Sequence, residues 1–421
     1  MSEALTDTAA RRPHFLGTAA SEDGAGVDHR ALRAERRRRV LAAMAGAEID
    51  ALVLGRYPNV KYVVGHRSLW RAVLTASAPI CVLVRSTGQV SLQASTWEDG
   101  IPAEVPLENL TGLTWNPRSV VAGLQAVEGL AEARRVAVDG VGPGGAALFS
   151  ILCPGAEVID AQPLLDAVRR QRLPAELHCI RTALAIAEGA MTEMGAAATD
   201  GASEHALKGR LTEAVLRGTP VLLASEPVAC ATPRHHLGSD AAPPLRLRPS
   251  DHPLQRGDLV AVRLEVLYAG YLGSLARTWV IGEGPASVPT PGARSDRPGA
   301  SAPGAEALAA RWARALSPVV DACRPGATTG DLLAAWDRSG EPRPPVPLAV
   351  GVGLGVEPPV VGGLVAGDDP GELLSAGMVL CIQGYVFEPG VGGYLALETV
   401  HIGEDGTEVL TRSPGGLPGT A

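Results

Sequence analysis

Lysine is nearly absent from this chain: it occurs only at Lys61 and Lys208, so arginine carries almost all the positive charge. No basic excess follows, because the net charge is -8 and the pI about 5.7, which argues against a nucleic-acid partner. The one basic run, Arg36 to Arg39, sits in a helix-like segment and reads as a solvated helical face. Aromatic residues make up only 4%, leaving Ala, Val and Leu to build the core. Cys81, Cys153, Cys179, Cys230, Cys323 and Cys381 show no CxxC spacing, which argues against zinc knuckles and against a disulfide framework, and most of them read as small buried apolar residues. No run approaches 18 consecutive apolar residues, and Met1 to Gly26 has no apolar stretch of signal-peptide length. The expectation is a cytoplasmic protein with no membrane partner and a frayed tail over residues 1–26.

What is present is enough apolar sequence for more than one core. With 421 residues, 46% apolar and 19% charged, the length prior favours two or three domains. Asp28 is a candidate N-cap for an Arg-rich and Ala-rich helix reaching about Ala45, followed by a buried strand over Ile49 to Gly55. Val60 to Gly65 reads as a second short strand, and Ala78 to Arg85 with Val90 to Ser95 as a hairpin around a Gly88-containing turn. Arg135 to Gly140 and Ala156 to Ala161 add two strands with a small helix between, completing an α/β domain over 27–168.

Pro174 suits the first turn of a long helix on which Leu177, Ile180, Leu184, Ala187 and Met191 recur at helical spacing. It opens a second domain expected over 172–412, with 413–421 as a tail. Ser203 caps a further helix to about Arg217, and Asp258 to Tyr268 and Tyr271 to Ile281 read as a hairpin turning at Ala269-Gly270. Glu283 to Pro303 has the composition of a surface loop, Pro318 is expected to kink the helix over Leu308 to Val319, and Val379 to Phe387 and Tyr394 to Ile402 are the last strong strands.

Several stretches of the second domain occur in a telling order: Gly257-Asp258-Leu259-Val260, Gly270-Tyr271, Leu275-Ala276-Arg277-Thr278, the glycine-rich Ala349 to Pro359, Ala376-Gly377-Met378-Val379, and Leu397-Glu398-Thr399-Val400. With Asn59 to Gly65 in the first domain, they resemble the pita-bread family of creatinase, prolidase and aminopeptidase P over about residues 28–412. The resemblance implies an α/β creatinase-like N-terminal domain followed by an α+β pita-bread domain, and a homodimer.

In active peptidases of that family five side chains hold two divalent cations. Carried over residue by residue, the resemblance places those five roles on Arg263, Ser274, Val350, Gln383 and Glu398, of which only the last is a conventional ligand. At an effective dielectric of about 20, a guanidinium roughly 4 Å from a dication repels it by about 8 kcal/mol. The expectation is therefore no metal and no cofactor, with a charge network of Arg263, Glu265 and Glu398 filling the space. Creatinase, the family's metal-free precedent, is also a poor match, because its catalytic glutamates fall on Ala276 and Gln383 and its loop histidine on Val350.

The resemblance makes Ala231 to Leu237 the family's substrate-side histidine segment, with His235 or His236 as the acid/base, the choice between them open against a pair of exposed loop histidines. Two functions compete. One is a metal-independent enzyme on a small amino-acid-like or amide-like molecule, with His235, His236 and Glu398 catalytic and Arg263, Glu265, Ser274 and Gln383 binding substrate. The other is a catalytically silent binding or scaffold protein, and a true metallo-aminopeptidase comes third. The enzyme is slightly preferred because a decayed pocket more often fills with apolar groups. Among weaker candidates, His66, Arg67 and Trp70 read as surface loop or dimer packing, Glu357 as structural, and Cys381 as inert burial despite sharing a strand face with Gln383.

Overall fold

The computed structural model describes residues 27–65, 81–93, 101–102, 104–112, 116–140, 149, 151–218, 221–232, 245–251, 253–282, 288, 304–362 and 371–417. The chain divides into two compact units, Met1–Arg170 and Gln171–Ala421.

In the first unit α1 (His29–Gly46) begins where Asp28 accepts a hydrogen bond from the Ala31 N–H, the cap expected from sequence. It leads into a six-stranded mixed sheet of order β4-β3-β2-β1-β5-β6, formed by β1 (Ala51–Leu54), β2 (Cys81–Val84), β3 (Val90–Gln93), β4 (Leu110–Thr111), β5 (Arg135–Val138) and β6 (Glu157–Asp160). β2 and β3 pair antiparallel, as the hairpin signal implied, and β1 and β5 are parallel.

One element differs from the sequence expectation. Residues Tyr57–Val64 form a helix, α2, not the short strand read from the run of valines. Pro58 sits in its first turn, Gly65 ends it in the left-handed conformation, and Asp139, at the end of β5, accepts from the N–H groups of Gly55 and Arg56 and from the Asn59 amide. That carboxylate comes from 80 or more residues away and outweighs the local β preference. The helices α3 (Pro117–Gln125) and α4 (Gln162–Arg170) complete the unit's named elements.

The second unit opens with α5 (Pro174–Ala197) and α6 (Glu204–Gly218), the latter capped by Ser203, whose hydroxyl accepts from the Ala206 N–H. One sheet carries β7 (Leu222–Leu223), β8 (Val228–Ala231), β9 (Leu259–Tyr268) and β10 (Tyr271–Val280). After α7 (Ala305–Ala322), which contains Pro318 and runs on past it, and α8 (Thr329–Asp337), a second sheet follows in the order β12-β11-β13-β14-β15. Its strands are β11 (Ala349–Gly353), β12 (Gly355–Val361), β13 (Val379–Glu388), β14 (Gly392–Ile402) and β15 (Thr407–Val409).

The helices lie tight against the outer faces of these sheets. A Cβ on Gly273 of β10 would come within 2.7 Å of Ala183 atoms of α5, and one on Gly384 of β13 within 2.5 Å of the Trp312 ring of α7. The large core around Trp312, Leu316, Trp336 and Tyr394 fills the space under α7 and α8. The opposite, inner faces of the two sheets are where polar residues gather. No helix among the described residues is long and apolar enough to cross a membrane.

Candidate functional site

The β9–β10 hairpin turns at Ala269 and Gly270, both with positive φ, the geometry that matches strand twist in a two-residue turn. That turn fixes the register: Ala276 lies opposite Arg263, and Ser274 opposite Glu265. Side chains of residues directly paired, or two apart on one strand, share a face. Arg263, Glu265, Ser274 and Ala276 therefore line one side of the hairpin, while Gly273 and Arg277 belong to the α5 side.

On β13 and β14 the register is equally explicit. Gln383 lies opposite Leu397 and Cys381 opposite Thr399, whereas Glu398 lies opposite Ile382. Cys381 also pairs with Val350 of β11. Val350, Cys381, Gln383, Leu397 and Thr399 accordingly share the inner face, while Glu398 shares the outer face with Leu380, Ile382 and Gly384. The inner faces are stitched together by the Thr399 hydroxyl, which donates to the Ser274 carbonyl.

The polar cluster has Arg263 at its centre. Its Nη2 donates to Glu265 Oε1 at 2.6 Å, its Nε to the same oxygen at 3.2 Å, and its Nη1 to Gln383 Oε1 at 3.2 Å. The Ser274 hydroxyl donates to Glu265 Oε1 at 3.3 Å, and the Gln383 amide is oriented by donating to the Pro347 carbonyl. The four residues assigned to ligand binding from sequence are thus brought together. Burial alone would raise the Glu265 carboxyl, but the Arg263 charge and the hydrogen bonds of Ser225, Arg263 and Ser274 outweigh it and hold the group below the ordinary carboxylate range. Glu265 is therefore ionised at neutral pH. Cys381, beside them, is fully buried, and burial pushes its thiol up to about 12, so it is no nucleophile.

Glu398 is not part of this cluster, and the expected network of Arg263, Glu265 and Glu398 is corrected accordingly. Its partner is Arg277, whose Nη2 lies 3.2 Å from Glu398 Oε1 and whose Nη1 donates to the carbonyls of Ala276 and Leu397. The Thr411 hydroxyl and the Leu417 N–H also donate to Glu398, and Gly416 lies so close that a Cβ there would sit 2.6 Å from Glu398 Oε1. The residue of β14 that faces Gln383 is Leu397. The reason is the period-two alternation of a strand, in which neighbours in sequence point to opposite sides.

Glu357 is held by Arg172 and by the Leu354 N–H, a structural role as read from its sequence context. His235, His236, His66, Arg67 and Trp70 lie outside the described residues. Sequence reasoning missed the function of Arg277, although a lone arginine within the apolar run Leu275 to Val280 was the available signal. Among the described residues no group of three or more His, Cys, Asp or Glu is placed to share a metal ion.

Residues 178–404 match the model of Metallopeptidase family M24, and residues 36–171 that of the Creatinase/Prolidase N-terminal domain. The first match spans more than half of the chain, and the chain therefore belongs to metallopeptidase family M24, with the creatinase-type domain preceding the pita-bread domain. Among solved structures it is similar to a prolidase from Pyrococcus horikoshii (19% identity, TM-score 0.68, covering 90% of this chain and 98% of that one). A dipeptidase, PepE, from Mycobacterium ulcerans is 22% identical (TM-score 0.67, 93% and 98% covered). An X-Pro aminopeptidase from Thermotoga maritima is 16% identical (TM-score 0.68, 90% and 98% covered). At these identities the likeness establishes the fold alone. No curated protein matches.

Proposed function

We propose that this chain is a metal-independent member of its family, in which the place of the two cations is taken by the Arg263–Glu265 pair, and that it binds a small molecule there without peptidase chemistry. One observation carries the reading: a guanidinium occupies the centre of the inner face, neutralised by Glu265 and braced by Gln383. Where the family resemblance calls for carboxylate and imidazole donors, the inner face offers Arg263, Ser274, Val350, Gln383 and Leu397. A valine and a leucine supply no lone pair, and a fixed positive charge repels a dication. This donor set does not fit a two-cation centre.

Two further observations favour binding over the metal-independent enzyme expected from sequence. Glu398 is buried on the other side of the sheet with its oxygens committed to Arg277, Thr411 and Leu417, and the Cys381 thiol stays protonated. Elemental analysis of the purified protein, paired with assays of Xaa-Pro dipeptide hydrolysis in added manganese or cobalt, tests the proposal. The expected outcome is metal far below one equivalent and no turnover above buffer. Near-stoichiometric manganese, cobalt or zinc together with hydrolysis would return the chain to the ordinary peptidases.

A further inference from the structure

We infer that the Arg263–Glu265 pair recognises a zwitterion, a free α-amino acid with an apolar side chain; this rests on the metal-independent reading above. A guanidinium carries five N–H donors. Three are used by described residues: those on Nε and Nη2 that reach Glu265, and the one on Nη1 that reaches Gln383. One N–H on each terminal nitrogen is left without an acceptor among the described residues, and these two can donate to a carboxylate.

Charge decides the class of ligand. The cluster holds one positive and one negative group, with Ser274 and Gln383 neutral, so its net charge is zero. A simple anion drawn to Arg263 is repelled by Glu265 a few ångströms away, and a simple cation meets the reverse. A molecule with an ammonium and a carboxylate on one carbon satisfies each member of the pair. Glu265, ionised and held below the ordinary carboxylate range, suits an ammonium group. Both side chains keep a share of exposure, 21% for Arg263 and 13% for Glu265, so the pair is reachable.

The surroundings select the side chain. Val350 and Leu397 face the same side as Gln383, and Val360, paired with Val350 on the edge strand β12, is exposed. Val350 and Val360 put apolar surface on the strands beside the one that carries Gln383, and Leu397, fully buried, backs it. A polar or charged side chain would lose solvation there without a partner.

Saturation-transfer NMR on the full chain, with each of the twenty protein amino acids in turn, provides the first test. For the best binder, the decarboxylated amine and the deaminated acid are then titrated calorimetrically; for leucine these are 3-methylbutylamine and 4-methylpentanoate. The zwitterion is expected to bind at least about tenfold more tightly than either analogue. Glu265→Gln is expected to remove the preference over the acid, and Arg263→Lys to weaken the amino acid about tenfold or more, with circular-dichroism melting showing both variants folded. Binding of none of the twenty, an acid bound as tightly as its amino acid, or folded variants that bind unchanged would each overturn the inference. Bound metal at one equivalent or more would instead overturn the reading beneath it, and the elemental analysis reports that separately.

Discussion

Two arginine–glutamate pairs of the second unit, Arg263–Glu265 within β9 and Arg277–Glu398 between β10 and β14, differ in an instructive way. Arg277 and Glu398 are each 1% exposed, whereas Arg263 and Glu265 are 21% and 13% exposed. The Arg277–Glu398 pair is wrapped by backbone carbonyls, Thr411 and Leu417, with the Arg277 Nε–H left buried without an acceptor among the described residues. The Arg263–Glu265 pair has donors to spare. Identical chemistry therefore serves as an internal brace on the helix side of the sheets and as a candidate recognition site on the inner side. Desolvation, not the identity of the charges, separates the two roles.

The largest expected effect comes from breaking the brace. Glu398→Ala leaves the Arg277 charge buried and uncompensated, and urea unfolding should report a loss of about 3–5 kcal/mol. A smaller loss is expected for Gly416→Ala, whose Cβ would press to 2.6 Å from Glu398 Oε1 and 2.9 Å from Arg277 Nη2. Overpacking of that kind costs about 1–3 kcal/mol, readable in the same titration. A stability unchanged in both variants would dissolve the contrast between the pairs.

At the inner pair, Glu265→Gln should cost only about 1 kcal/mol at neutral pH, since partial exposure lets water replace part of the lost interaction. The folded Glu265 carboxyl lies below the 4.5 of its unfolded counterpart, so its ionic contribution is present above pH 4.5 and fades as the pH falls through the lowered value. Chemical denaturation across that range should show the gap between wild type and Glu265→Gln closing below pH 4.5. A gap that widens in acid would mean that Glu265 is stabilised in its protonated form.

Much of this architecture was legible in the residues. Helix starts at Asp28, Pro174 and Ser203 follow from capping chemistry, and the Ala269-Gly270 turn sets a hairpin whose register puts Arg263, Glu265 and Ser274 on one face. Two features were not legible, each for a definite reason. Tyr57–Val64 is helical because Asp139 binds its first turn from 80 residues away, information that no local window holds. Glu398 was expected in one network with Arg263 and Glu265 because the resemblance carries a cation-ligand role onto it, yet a single position along a strand reverses the face, and the register Gln383 to Leu397 is set by the five-residue span from Glu388 to Gly392.

The brace also orders events in time. When Arg277 leaves the ribosome its carboxylate partner lies 121 residues further along, and the Leu417 amide that completes the enclosure comes 19 residues after that. Until those residues arrive, the guanidinium must stay hydrated and β10 cannot settle against β14. The two sheets of this unit consequently lock together only after those residues have emerged, as one late step, and not strand by strand.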